Sequence, residues 1–181
     1  MEKKNKVQDR IDSQLLEDRK IFLWGMVDDK SAKHVVDRLM YLDSLNHDEI
    51  TFYINSPGGF VTSGFSMYDT IQSIKSPVST VCTGLAASMG SILLSAGKKG
   101  RRFIQPHARV MIHQPSGGAR GQASDIEITA QEIIKTKELS AKILAKNCGQ
   151  KFDKVMKDFN RDHWMGAEES ADYGIVDGIA K

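Results

Sequence analysis

At 181 residues the chain is long enough for one domain with a substantial core, and its 27% charged and 40% hydrophobic residues are those of an ordinary globular protein. A net charge of +2, with the basic residues scattered rather than striped, argues against a nucleic-acid ligand. The two cysteines, Cys82 and Cys148, make neither a disulfide framework nor a zinc spacing, which points to a reducing, cytoplasmic setting and no metal.

Residues 1–12, MEKKNKVQDRID, are basic with no apolar run behind the charges, and read as a mobile charged arm rather than a signal peptide. KIFLWG, 20–25, reads as a short buried strand ended by glycine. In DDKSAKHVVDRLMYLDSL, Val35, Val36, Leu39, Met40 and Leu42 recur at helical spacing, with Ser31 as a candidate cap. EITFYINSPGG is a second strand running into a turn. FVTSGFSMYDTIQSIK is a second helix, with Val61, Phe65, Met67, Tyr68 and Ile71 mostly on one side. VSTVCTG is a third strand and SMGSILLSAG a third helix, stopped by Gly97. The uncharged run from Ser76 to Gly97 is long enough to cross a membrane. It holds Pro77, three glycines and seven Ser or Thr residues, so a buried strand, a turn and a buried helix explain it better. The alternation predicts an α/β fold with parallel strands covered by helices.

Two β-rich pieces follow, RRFIQP and ARVMIH, then a glycine-rich turn, QPSGGARGQ. A long helix is expected over about 124–147. Its apolar positions Ile126, Ile133, Leu139 and Ile143 are only loosely periodic and its middle is polar, which suits a helix projecting from the body. KFDKVMKDF, GAEESADYG and IVDGIA close the chain.

Ser88, in GLAASMGS, sits where a strand ends and a helix begins. A hydroxyl there is lifted from the backbone beside free amide groups, but it needs a base to take its proton. Ala86 stands in place of the first glycine of the usual G-x-S-x-G elbow, and serine is also a favoured N-cap, so this stretch alone leaves nucleophile and cap both open. In NSPGG, Gly58 and Gly59 let the backbone approach a ligand, and their N–H groups suit a developing oxyanion; a plain strand-to-helix turn reads equally well. Of the five histidines, His113 is the best candidate base, at the end of the apolar RVMI and before a glycine-rich turn. His34 reads as solvated, His47 and His107 as loop residues, and His163 as packed beside Trp164. HQPSGGARGQ could pair with an extended peptide through free backbone groups, or be a surface hairpin.

SQLLEDRKIFLWG, FYINSPGG, GLAASMGSILLSAG, RVMIHQPSGGARGQASDIEI and RDHWMGAEESADYGIVD occur in one order, and over 13–181 the chain resembles the proteolytic subunit of the ATP-dependent Clp protease. The resemblance implies an α/β spiral of β-β-α units, the Clp protease and crotonase type, in a single peptidase domain with a handle helix over about 124–147. It implies a serine endopeptidase with Ser88 as nucleophile, His113 as base and Asp162 as acid. Its oxyanion donors fall on the N–H groups of Gly59 and Met89. Substrate is expected as a strand between Gly58, Phe60 and Val61 on one side and Ser116, Gly117 and Gly118 on the other. The partners implied are further copies of the chain, in two stacked heptameric rings, and a ring ATPase that unfolds the protein substrates. ATP belongs to that partner, and this chain is expected to take no cofactor and to bind neither nucleic acid nor membrane.

Several positions depart from the family pattern. Only twelve residues precede SQLL, Gln14 replaces an arginine, and Thr51 and Ser73 stand where aromatic residues are usual, with Tyr53 kept. Asn160 replaces an acid that pairs across the ring interface. These departures suggest a specialised copy working with a paralogous subunit in a mixed assembly. Two other readings stand beside the peptidase: a structural or regulatory ring subunit, and a crotonase-like enzyme acting on acyl-CoA thioesters without a serine nucleophile.

Overall fold

Apolar residues at every second position of ITFYINS give β2 (Ile50–Ser56) an alternation of buried and half-buried side chains, and the strand runs between β1 (Lys20–Trp24) and β3 (Val78–Ala87). The computed structural model describes residues 6–180. Its sheet has the order β1-β2-β3-β4-β7, with β4 at Arg102–Ile104 and β7 at Gly178–Ile179, and all of these neighbours are parallel. A branch leaves β3: β5 (Arg109–Ile112) pairs parallel with its second half, and β6 (His163–Met165) pairs antiparallel with β5. This is the mixed α/β architecture the alternation and the resemblance imply.

The third strand runs three residues past the expected end at Gly84, because its two halves have different neighbours. Thr80–Cys82 pairs with Arg102–Ile104, whereas Leu85–Ala87 pairs with Arg109–Met111. Between these halves β3 bulges, as the pairing with β2 jumps from Ile54↔Cys82 to Ser56↔Ala86. Asn55 fills the bulge, its Oδ1 accepting the Leu85 N–H at 3.2 Å.

Helix α2 (Asp29–Leu45) buries Ala32, Val35, Leu39 and Leu42, while the expected core residue Met40 is 60% exposed. Its cap also differs from expectation. Asp28 is the N-cap, accepting from the Ser31 N–H, and Ser31 answers by accepting the Asp28 N–H, a reciprocal capping box. Helix α3 (Val61–Ser73) packs between α2 and α4 (Met89–Ser95), and every residue of α4 is buried. The expected arm differs too: residues 6–12 open an exposed helix, α1 (Lys6–Glu17), and residues 1–5 lie outside the described part.

The long helix is α5 (Ala123–Cys148), 26 residues and so about 39 Å. Its buried residues are all in the last third, Ser140, Ala141, Leu144, Ala145 and Cys148, while Ile126, Ile128, Ile134 and Leu139 are exposed. The helix therefore projects, as its loose periodicity predicts. Helices α6 (Phe152–Asp158) and α7 (Ala167–Tyr173) complete the chain. No helix among the described residues is long and apolar enough to cross a membrane.

A buried ion pair ties this C-terminal part to the sheet. Arg102, 2% exposed, donates through Nε and Nη2 to both oxygens of Asp177, at 2.9 and 2.6 Å, and through Nη1 to the Asn147 carbonyl of α5 at 2.8 Å. Burial alone would raise the Asp177 carboxyl, but the Arg102 hydrogen bonds and charge, with the Gly100 N–H, outweigh it and hold the group below its ordinary value. A carboxylate depressed in this way stabilises the fold above its unfolded pKa and loses that contribution as pH falls through its folded value. Asp177→Ala, which leaves Arg102 buried without its partner, is expected to lower the unfolding free energy at neutral pH by about 3–5 kcal/mol. Urea titrations should show this deficit narrowing as pH falls below about 4, where the unfolded chain takes up the proton, and vanishing through the lower folded value; a deficit independent of pH would refute the assignment.

Candidate active site

Strand β3 ends at Ala87 and α4 begins at Met89, so Ser88 is a one-residue joint. Its backbone takes φ 53 and ψ −123, and Arg19 is the only other non-glycine residue with positive φ among the described residues. Such a conformation costs about 1–3 kcal/mol and persists only where the surroundings fix it. Here they do so from both sides. The Ser88 N–H donates to the Met111 carbonyl of β5 at 2.9 Å, and the Ser88 carbonyl accepts from Ser91. By position Ser88 is the N-cap of α4, but its side chain makes no capping hydrogen bond, which removes the physical basis of the cap reading. The hydroxyl has no hydrogen-bond partner among the described residues, and the side chain is half-buried.

Gly58 presses against this joint. A Cβ at Gly58 would lie 2.6 Å from Ser88 Cβ and 2.7 Å from the Ala87 carbonyl, and its φ of +89 is open to few other residues. Gly59 is pinned from behind by Val27, which donates to the Gly58 carbonyl at 2.9 Å and accepts from the Phe60 N–H at 2.8 Å. The N–H groups of Gly59 and Met89 have no partner among the described residues, which leaves two donors beside the Ser88 hydroxyl. Met89 anchors its end by inserting a buried side chain against Gly64 of α3.

His113 follows the last residue of β5. The antiparallel register Ile112↔His163, continued by one residue, sets His113 opposite Asp162. Their side chains meet, Nδ1 to Oδ1 at 3.0 Å, with His113 27% and Asp162 59% exposed at the side chain. A carboxylate at Nδ1 favours the tautomer that carries its proton there and leaves Nε2 free to accept. Among the described residues no hydrogen bond joins His113 to the Ser88 hydroxyl. The two are coupled through β5, since Met111, which holds the Ser88 N–H, lies two residues before His113.

The expected substrate groups divide. Phe60 is 62% exposed, but Val61 is already the first residue of α3. Ser116, Gly117 and Gly118 form an exposed loop outside any strand, resting on α5 where a Cβ at Gly117 would meet Ile133. Sequence reasoning missed Gln114. Its N–H donates to the Phe159 carbonyl at 2.6 Å and its carboxamide to the Asn160 carbonyl at 2.8 Å, which clamps the Asp162 loop to the end of β5. Nothing in the local sequence marks that role, because its partners lie 45 or more residues away. Of the other histidines, His34 and His107 are exposed, His47 meets Asp43, and His163 packs on Tyr173 at 5.8 Å.

The arrangement thus brings an unpartnered hydroxyl, two free amide donors and an oriented imidazole to neighbouring strand ends, the parts acyl transfer requires. Gly25 has a φ of +90, like that of Gly58, but open space around it. Gly25→Ala and Gly58→Ala therefore share the backbone penalty, and Gly58→Ala is expected to cost about 1–3 kcal/mol more from crowding at Ser88. Equal losses of stability in urea unfolding would show that the joint does not rest on Gly58.

The model of the Clp protease family matches residues 2–181. With its parallel sheet, branched third strand and projecting helix, the chain belongs to the Clp protease family.

Proposed function

We propose that this chain is a serine endopeptidase subunit that hydrolyses peptide bonds with Ser88 as nucleophile, His113 as general base and Asp162 as the group that orients the imidazole. The observation that carries this reading is the Ser88 joint, where a partner-free hydroxyl sits beside the free N–H groups of Gly59 and Met89. Family membership supports the peptidase class and weighs against the thioester reading.

In the reaction, His113 Nε2 takes the Ser88 proton as Oγ attacks the substrate carbonyl. The two amides receive the oxyanion, at about 3 kcal/mol per donor. His113 then gives the proton to the leaving amine as the C–N bond breaks, and activates the water that cleaves the acyl ester. Asp162 holds the productive tautomer throughout. The substrate lies extended between Gly58–Val61 and the open backbone of Ser116–Gly118.

The exposed isoleucines of α5 support assembly with other copies into two stacked heptameric rings, whose chamber a ring ATPase fills with unfolded chains. ATP is used there, and this chain needs no cofactor. The two unpaired cysteines support a cytoplasmic setting. One observation favours a second reading, a supporting subunit beside an active paralogue: Ser88 and His113 are not hydrogen-bonded within the single chain.

Intact mass after treatment with a fluorophosphonate probe separates the two. One adduct on the wild type, absent from Ser88→Ala and His113→Ala, is the expected result, with Asp162→Asn slowing peptide hydrolysis about 10⁴-fold. A wild type that takes no adduct either alone or mixed with an active paralogue, while raising the paralogue's peptide hydrolysis, would establish the supporting role.

A further inference from the structure

The C-terminal ends of α3, α4 and α5 converge on a groove of about 480 Å³ that none of these site residues lines. Its lining is mixed: Ile74 and Pro77 are half-buried, and Ile71, Val78 and Ala96 are nearly buried. Its rim carries Lys75, Lys98, Lys99 and Lys146, and no Asp or Glu lines it. All four lysines are exposed, and among the described residues none of their side chains makes an ion pair or a hydrogen bond. A fifth cation, Arg102, is already matched by Asp177.

Lysines near helix C-termini ordinarily serve the terminal carbonyls and the helix dipole. Here other donors hold those carbonyls. Gln72 donates to Ala96, Thr80 to Leu94 and Arg102 to Asn147, at 3.0, 2.7 and 2.8 Å. Three helix ends supply roughly half a negative charge each, which leaves an excess of positive charge from four lysines. That excess borders the half-buried Ile74 and Pro77, which a small mineral anion would leave unused.

We propose that this groove is a docking site for an acidic, amphipathic peptide segment of a partner protein, with apolar side chains against Ile74 and Pro77 and carboxylates on the four lysines. Charge complementarity of this kind speeds encounter and rejects basic partners. The site stands on the groove alone and is independent of the chemistry at Ser88.

The test is fluorescence anisotropy of a fluorescein-labelled peptide of twelve alternating Glu and Leu residues, titrated with the full chain. Lys98→Glu/Lys99→Glu is compared with Lys151→Glu/Lys157→Glu, which makes the same charge change on α6. Saturable binding that weakens at least tenfold in the first variant and less than twofold in the second is expected. All four substitutions are on exposed side chains, and unchanged elution volume and circular dichroism would confirm intact folding. Equal weakening in both variants would overturn the proposal by showing an unspecific charge effect. Absence of binding would overturn it too, as would an all-Glu peptide binding as tightly as the amphipathic one.

Discussion

The site depends on one strand having two sets of neighbours. β3 begins beside β4, bulges, and ends beside β5. The second half of β3 thus lies along β5, where the Ser88 N–H meets the Met111 carbonyl. The bulge itself would strand backbone groups, and Asn55 prevents this by accepting the Leu85 N–H. Gly84 makes room for the Asn55 carboxamide, since a Cβ there would lie 2.9 Å from its oxygen. The strained backbone of Ser88 is then held by a sheet hydrogen bond on one side and helix α4 on the other.

The second strand delivers the other half of the site by the same logic. β2 stops at Ser56, whose buried hydroxyl accepts the Gly58 N–H at 3.1 Å. Val27 bonds the Gly58 carbonyl and the Phe60 N–H, which leaves the Gly59 N–H without a partner among the described residues. Close packing explains why glycine recurs here: Gly58, Gly59 and Gly90 all face backbone or Cβ atoms within about a side chain's width. The hydrogen-bonding groups thus face a rigid, largely buried frame on one side and open space on the other.

Away from the site, Arg102 performs a structural duty that its position in a short strand does not suggest. It joins β4, the end of α5 and the C-terminal segment through four hydrogen bonds from its guanidinium and backbone N–H. Because α5 buries only its last third, this junction is what anchors a helix whose remainder is exposed. The exposed isoleucines beyond it have no cover among the described residues.

Local chemistry made most elements legible in the sequence. The alternation of ITFYINS, the helical spacing of Val35, Leu39 and Leu42, and the weak periodicity of the long helix each reflect which face must leave water. The glycines of NSPGG and the small residues around Ser88 marked backbone that must come close, and the order of the motifs pointed to the family. The cap at Asp28, the helix over residues 6–12 and the exposure of Met40 were not legible, because each turns on contacts that spacing alone does not specify. Only the tertiary structure decided that β3 forks, that His113 faces Asp162 across a strand register, and that Gln114 clamps the loop carrying that acid. Those outcomes depend on residues 22 to 49 positions apart meeting in space, and local propensity carries no information about distances of that kind.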